Sequence, residues 1–146
     1  MKYKLIIDRD KEPEVVVTAR EPNELTAKIE TLVLAYEGND SVTAYSEEEL
    51  TRLSYADIEC ITVIDRKVIA ITEGGKQYRL KERLCELESQ LPSYFMRINK
   101  STLANSRRIV RFKTAFSGAV DAVFRCGYVD YVSRRCFSDI KRRFEQ

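Results

Sequence analysis

At 146 residues, 44% hydrophobic and 33% charged, the sequence has the balance of a soluble globular protein, either one domain or two small ones. It lacks an apolar run of about 18 residues, so no transmembrane helix is expected; the apolar run within Met1–Asp8 is too short for a signal-peptide core, and a cytoplasmic location is expected. There is no histidine to serve as an acid–base group near neutral pH, and the net charge of +2 conceals an asymmetry that points to a binding protein before an enzyme.

Tyr3–Ile7 and Glu14–Thr18 are β-rich runs, expected as strands around the charged, proline-containing loop Asp8–Pro13. Pro22-Asn23 opens a helix whose expected apolar stripe is Leu25, Ile29, Leu32 and Tyr36, and Gly38-Asn39-Asp40 ends it. Ser41–Tyr45 reads as a further strand and Glu47-Glu48-Glu49 as a solvated charge run.

From Ile58 the pattern turns to β. Ile58, Cys60, Thr62 and Ile64 are expected on one face, Ile61 and Val63 on the other. Asp65-Arg66-Lys67 reads as a polar turn, and Val68–Thr72 and Gln77–Leu80 as strands joined by Glu73-Gly74-Gly75-Lys76. Leu80, Leu84, Leu87 and Leu91 mark a helix stopped by Pro92.

Phe95–Ile98 is short and extended, and Ile109–Phe116, Ala119–Arg125 and Tyr128–Val132 read as strands. In the first of these, Arg111 and Lys113 alternate with Val110, Phe112, Thr114 and Phe116 and are expected on the solvent side. Phe137, Ile140 and Phe144 form a helical stripe; Lys141, Arg142 and Arg143 fall in its last turn, where cations suit the helix dipole.

Catalytic chemistry finds little support. Gly74-Gly75 sits in a hairpin and not between a strand and a helix, so there is no phosphate-binding glycine loop. The cysteines at 60, 85, 126 and 136 contain no C-x-x-C pair, so neither metal nor disulfide is expected, and no cofactor is implied. Cys60 and Cys85 read as small buried hydrophobes.

Charge is the stronger signal. Residues 92–146 carry 12 Lys+Arg against 4 Asp+Glu, a balance of +8, whereas residues 1–55 stand at −5 and residues 56–91 at −1. Arg97, Lys100, Arg107, Arg108, Arg111, Lys113, Arg134 and Arg135 are interleaved with strand apolars. Long cations neutralise phosphates and release counterions; Arg can also pair with guanine through its planar fork, and Asn with adenine.

Five pieces occur together in order: Y-A-D-I-E-C-I (Tyr55–Ile61), the hairpin and Leu-rich helix ending at Leu91, F-M-R-I-N-K-S-T-L-A-N (Phe95–Asn105), the turn Cys126-Gly127, and Y-V-S-R-R (Tyr131–Arg135). Over Ser54–Phe144 the chain resembles LytTR-type DNA-binding domains, and most closely the small regulators of that kind that lack a receiver domain. The resemblance implies a mainly β fold with helices (α+β) made of short sheets. A small α/β segment over residues 1–50 is expected to precede a DNA-binding domain over residues 54–146. It also implies a non-enzymatic, sequence-specific transcriptional regulator that reads double-stranded DNA through loops, usually at direct repeats. Arg66, Lys100 (or its neighbour Asn99) and Arg135 match the base-facing positions. Arg97, Ser101, Ser133, Arg134, Arg107 and Arg108 are the expected backbone contacts. Departures from the family pattern are Asn99 in place of His or Ser, Cys126 in place of Asn before Gly127, and Ala104 in place of a larger apolar residue.

Asn105 reads as a backbone-capping residue in a turn, and Tyr128 and Tyr131 as cross-strand packing. A homodimer, a dimerisation or regulatory role for the N-terminal segment, and control by a companion membrane protein are further expectations. The alternatives are a protein-interaction adaptor with a basic surface and a small-molecule sensor.

Overall fold

The computed structural model describes residues 1–36 and 40–145. One helix, α1 (Glu24–Tyr36), precedes β1 (Ser41–Tyr45), β2 (Leu50–Ser54), β3 (Ile58–Ile64), β4 (Lys67–Thr72) and β5 (Gln77–Leu80). A short helix, α2 (Leu84–Gln90), leads to β6 (Phe95–Asn99), β7 (Thr102–Asn105), β8 (Ile109–Thr114), β9 (Val120–Phe124) and β10 (Val129–Val132), and α3 (Arg134–Phe144) follows. Seven strands form a sheet in the order β2-β1-β5-β4-β3-β7-β6; three more form a second in the order β10-β9-β8. Every pairing is antiparallel. The fold is mainly β with helices, as expected.

The middle of the large sheet is covered on both faces. Ile58, Ile61, Leu80, Phe95 and Leu103 pack with Leu84 and Leu87 of α2 in one core. Cys60, Ile71, Met96, Ile98 and Ala104 face the other way, onto Ala122 and Phe124 of the small sheet and Ile140 of α3. A strand covered on both faces reads as a continuous apolar run, and Ile58 to Thr62 are accordingly all buried.

A β-bulge between Ile58 and Cys60 corrects the expected faces of β3. Strict alternation would put Ile58 and Cys60 together. The extra residue re-aims the strand, so Ile58 joins Ile61 in the α2 core while Cys60 turns to the opposite core. A second bulge lies between Ile109 and Arg111. There Phe112 packs edge-on against Phe137 and Phe144, with centroids 6.0 and 5.0 Å away. Arg111 and Lys113 are exposed as expected, but so are Val110, Thr114 and Phe116.

Other expectations need correction. The runs Tyr3–Ile7 and Glu14–Thr18 are not paired as strands, and residues 1–20 are exposed throughout. On α1 the expected stripe points largely outward: Leu25, Leu32 and Tyr36 are 40%, 72% and 91% exposed. Its sheltered side is Thr26, Ile29, Glu30, Val33 and Leu34, which line a groove with Val15 and Val17. That set also follows the i, i+3, i+4, i+7, i+8 pattern of a helix face. Gly38 and Asn39 of the expected helix stop lie outside the described residues. Cys85 is exposed, whereas Cys60 is buried. Leu80 ends β5, and the Leu-rich helix begins at Leu84. Strands β1 and β2 pair with each other, and β1 joins β5, which places residues 41–54 in the same sheet as β3.

Candidate nucleic-acid interface

Three cationic turns meet at one end of the large sheet. The first is the β3–β4 hairpin. Ile64 pairs with Lys67, leaving Asp65 and Arg66 as a two-residue loop with φ of 50° and 66°. Two successive left-handed residues match the twist of the flanking strands, and they carry the Arg66 side chain out at the tip, where it is exposed.

The second is the β6–β7 turn, Lys100-Ser101. Thr102 pairs with Thr62 of β3, and the Ser101 carbonyl accepts from the Val63 N–H at 3.1 Å, so this turn sits beside the end of β3. Lys100 is exposed. Its carbonyl accepts from the Arg97 guanidinium at 2.7 Å, and the other arm of Arg97 pairs with Glu88 at 2.5 Å. Arg97 therefore braces the turn that presents Lys100, and its guanidinium is already engaged.

The third is the β10–α3 junction. Ser133 caps α3, its hydroxyl accepting from the Cys136 N–H at 3.2 Å, while its own N–H donates to the Ile98 carbonyl at 2.9 Å. Arg134 and Arg135 follow in the first turn of α3, and both are exposed. Cations there oppose the helix dipole at a cost of about 0.3–1 kcal/mol each. They also concentrate positive charge where backbone N–H groups already attract anions.

A buried polar network ties these turns together. The Asn99 amide donates to the Tyr131 carbonyl at 2.8 Å and to Asp130 Oδ1 at 3.3 Å, and Asn99 Oδ1 accepts from the Ser101 N–H at 2.8 Å. Asp130 Oδ2 accepts from the Thr102 hydroxyl at 2.6 Å, and the Thr62 and Thr102 hydroxyls lie 2.7 Å apart. Because Thr102 gives its proton to Asp130, Thr62 is the donor to Thr102. The network thus runs from β3 through the β6–β7 turn to β10, two residues before the Ser133 cap.

Two of the expected contact residues are engaged within the fold. Asn99 is 1% exposed, and its amide is engaged by Tyr131, Asp130 and Ser101, so it holds the shape of the turn. Arg108 is also consumed internally. Its guanidinium donates twice to the Ala56 carbonyl, at 3.1 and 2.9 Å, and its Nε lies 3.5 Å from the carboxylate of Glu59. Glu59 is completely buried, with its second oxygen accepting from the Cys126 N–H at 2.7 Å, so Arg108 is the counter-ion of a buried charge. Arg107 is exposed and lies over the Tyr94 ring, 4.2 Å from its centroid.

Asn105 caps the turn after β7 as expected, accepting from the Arg107 N–H at 3.0 Å and donating to the Ile58 carbonyl at 3.0 Å. Tyr128 packs on Phe124, with centroids 6.0 Å apart; Tyr131 stands across from Asp121 of β9 with 49% of its surface exposed.

The profile of the LytTr DNA-binding domain matches residues 48–145, which takes in all three turns and the network behind them. The chain belongs to the LytTr DNA-binding domain family. It is also similar to uncharacterized HTH-type transcriptional regulators of Staphylococcus aureus strains MSSA476 and MW2, each 31% identical over 144 residues, covering 98% of this chain and 97% of the relative. Its fold is similar to the solved LytTr DNA-binding domain of a methyl-accepting/DNA response regulator from Bacillus cereus. There the TM-score is 0.66 at 18% identity, covering 73% of this chain and 98% of the other. Among the described residues of this LytTr chain no two helices are consecutive: β1 to β5 separate α1 from α2, and β6 to β10 separate α2 from α3.

The LytTr motif pieces located Lys100 and the Ser133–Arg135 junction but missed what holds them. Thr62, Thr102 and Asp130 lie far apart in sequence, and the bonds that join them to one another span 28 and 40 residues. A weak signal was available: the threonines and the aspartate interrupt otherwise apolar strands, and a buried polar group needs a partner.

Proposed function

We propose that this LytTr protein is a sequence-specific transcriptional regulator that reads major-groove bases of double-stranded DNA through its three turns. Arg66, Lys100 and Arg135 are the reading side chains. Arg134, Arg107 and the hydroxyls of Ser101 and Ser133 serve the phosphates.

The observation that carries this reading is the convergence of three exposed cationic turns on one buried Asn99–Asp130 network. The β3–β4 and β6–β7 hairpins are centred two strands apart in the order β4-β3-β7-β6. At about 4.8 Å per strand that is roughly 10 Å, comparable to a major groove about 12 Å wide. Arg66, at the hairpin tip, also extends up to about 7 Å further along the strand direction than Val63, the residue level with the second turn. Cations at different heights suit a curved polyanion better than a flat one. No consecutive helix pair is available among the described residues to act as a recognition unit, which favours turns as the readers.

Selection of duplex DNA from a random pool tests the proposal. A common motif should emerge, and its affinity should fall with salt with a log–log slope of about −0.9 per phosphate neutralised.

A further inference from the structure

The N-terminal segment leaves apolar surface that its own chain does not cover. Val15, Val16 and Val17 are 61%, 75% and 43% exposed, and Leu5, Ile6 and Ile7 are 69%, 71% and 83% exposed. Residues 1–20 contain one backbone–backbone hydrogen bond, from the Lys11 N–H to the Asp8 carbonyl at 3.3 Å, which marks a turn between the two runs. Val15 and Val17 line the groove against Thr26, Ile29, Val33 and Leu34 of α1, while α1 itself has no fully buried residue. Two strands and one helix make a marginal unit in water; three or more strands with an apolar face are needed.

The geometry points to a second copy of this chain as the missing partner: we propose that Glu14–Thr18 pairs antiparallel with itself about a two-fold axis at Val16. The sequence is self-complementary in that register. Val15 faces Val17 of the second copy, Glu14 faces Thr18, and Glu12 faces Arg20, with no like charges opposed. Opposite-charge and β-branched cross-strand pairs are the favourable kinds. A two-fold contact uses the same patch on both copies, so each pair occurs twice. Pro13 lies immediately before the paired stretch Glu14–Thr18, where a missing N–H removes no bond between the strands.

Tyr3–Ile7 of each copy then adds outside Glu14–Thr18, giving four strands in the order 3–7, 14–18, 14–18, 3–7. The α1 helices cover the face carrying Val15 and Val17. Residues 1–20 carry 5 Lys+Arg and 4 Asp+Glu, so two copies meet without net repulsion. None of this depends on the DNA reading, because the segment lies outside the matched residues 48–145.

Sedimentation equilibrium of the full chain without DNA tests the proposal. The wild type should be a dimer in the micromolar range. Val16→Asp should be monomeric, with the cooperative thermal unfolding of the LytTr sheets retained. Glu12→Arg and Arg20→Glu should each weaken dimerisation several-fold to about tenfold, and the double charge swap should restore it. A monomeric wild type, a Val16→Asp protein that still dimerises, or a double swap no tighter than the single changes would each overturn the pairing.

Discussion

The Asn99 side-chain amide donates to the Tyr131 carbonyl at 2.8 Å, joining an edge strand of the seven-stranded sheet to an edge strand of the three-stranded one. The same side chain accepts from the Ser101 N–H, so one residue fixes both the shape of the Lys100 turn and its distance from the Arg135 helix. The β scaffold contributes rigidity here, and the cations it presents contribute chemistry.

Asn99→Ala should therefore act on the whole site. Removing a buried amide leaves a carbonyl and an N–H unpaired and costs about 1–3 kcal/mol. Urea unfolding should record that loss. DNA affinity should fall for all sequences alike, because a positioning residue carries no base preference of its own.

Arg135→Ala should behave oppositely. Stability should change by less than about 0.5 kcal/mol, as for other exposed positions. Binding to the selected motif should lose roughly 1–3 kcal/mol, with discrimination relaxed at one base position. Titrations against single-base variants of the motif distinguish this from a phosphate contact.

Arg66→Gly separates folding from binding. Arg66 holds a φ of 66°, which glycine adopts without steric cost. Thermal unfolding should show a protein at least as stable as the wild type, by up to about 1 kcal/mol. DNA binding should nonetheless weaken and its salt slope should decrease by about one phosphate equivalent or its base preference narrow to the other two turns.

Arg108→Ala should be among the most damaging single changes. It strands the carboxylate of Glu59, which is 0% exposed. Breaking a buried pair by removing one partner costs about 3–5 kcal/mol. The double variant with Glu59→Gln should recover part of that loss in denaturant melts, which a direct DNA-contact role for Arg108 would not produce.

Alkaline pH should destabilise the fold. Burial pushes the Cys60 thiol well above its ordinary 9.0. Burial likewise raises the Tyr55, Tyr94 and Tyr128 hydroxyls above 10.0. The unfolded chain ionises these groups at their ordinary values while the folded chain still holds the protons. Their contribution is therefore complete below pH of about 9 and declines as pH rises through about 10 towards the folded values. Urea midpoints should fall across that window, and Tyr128→Phe should reduce the fall.

Much of the fold is legible in the sequence because period-two apolar runs and polar turns mark β3, β4, β5, β8, β9 and β10. The misses have physical causes. β7 is four residues long and buried on both faces, so Thr102–Asn105 shows no alternation. β2 follows Glu47-Glu48-Glu49 and lies at the sheet edge, half exposed, with a pattern too weak to stand out. The bulge beside Glu59 is invisible to a rule of strict alternation. In the site, the exposed cations Arg66, Lys100 and Arg135 could be found from motif position. The roles of Asn99 and Arg108 could not, because they depend on partners 31 or more residues distant.

A salt titration of the full chain on its selected duplex, alongside a scrambled duplex of the same length, tests sequence reading by the turns most directly. Binding to the motif should be tight, salt dependence should be steep on both duplexes, and Lys100→Ala and Arg135→Ala should each diminish the preference for the motif. Equal affinity for the two duplexes, or a preference untouched by both substitutions, would contradict sequence reading by the turns.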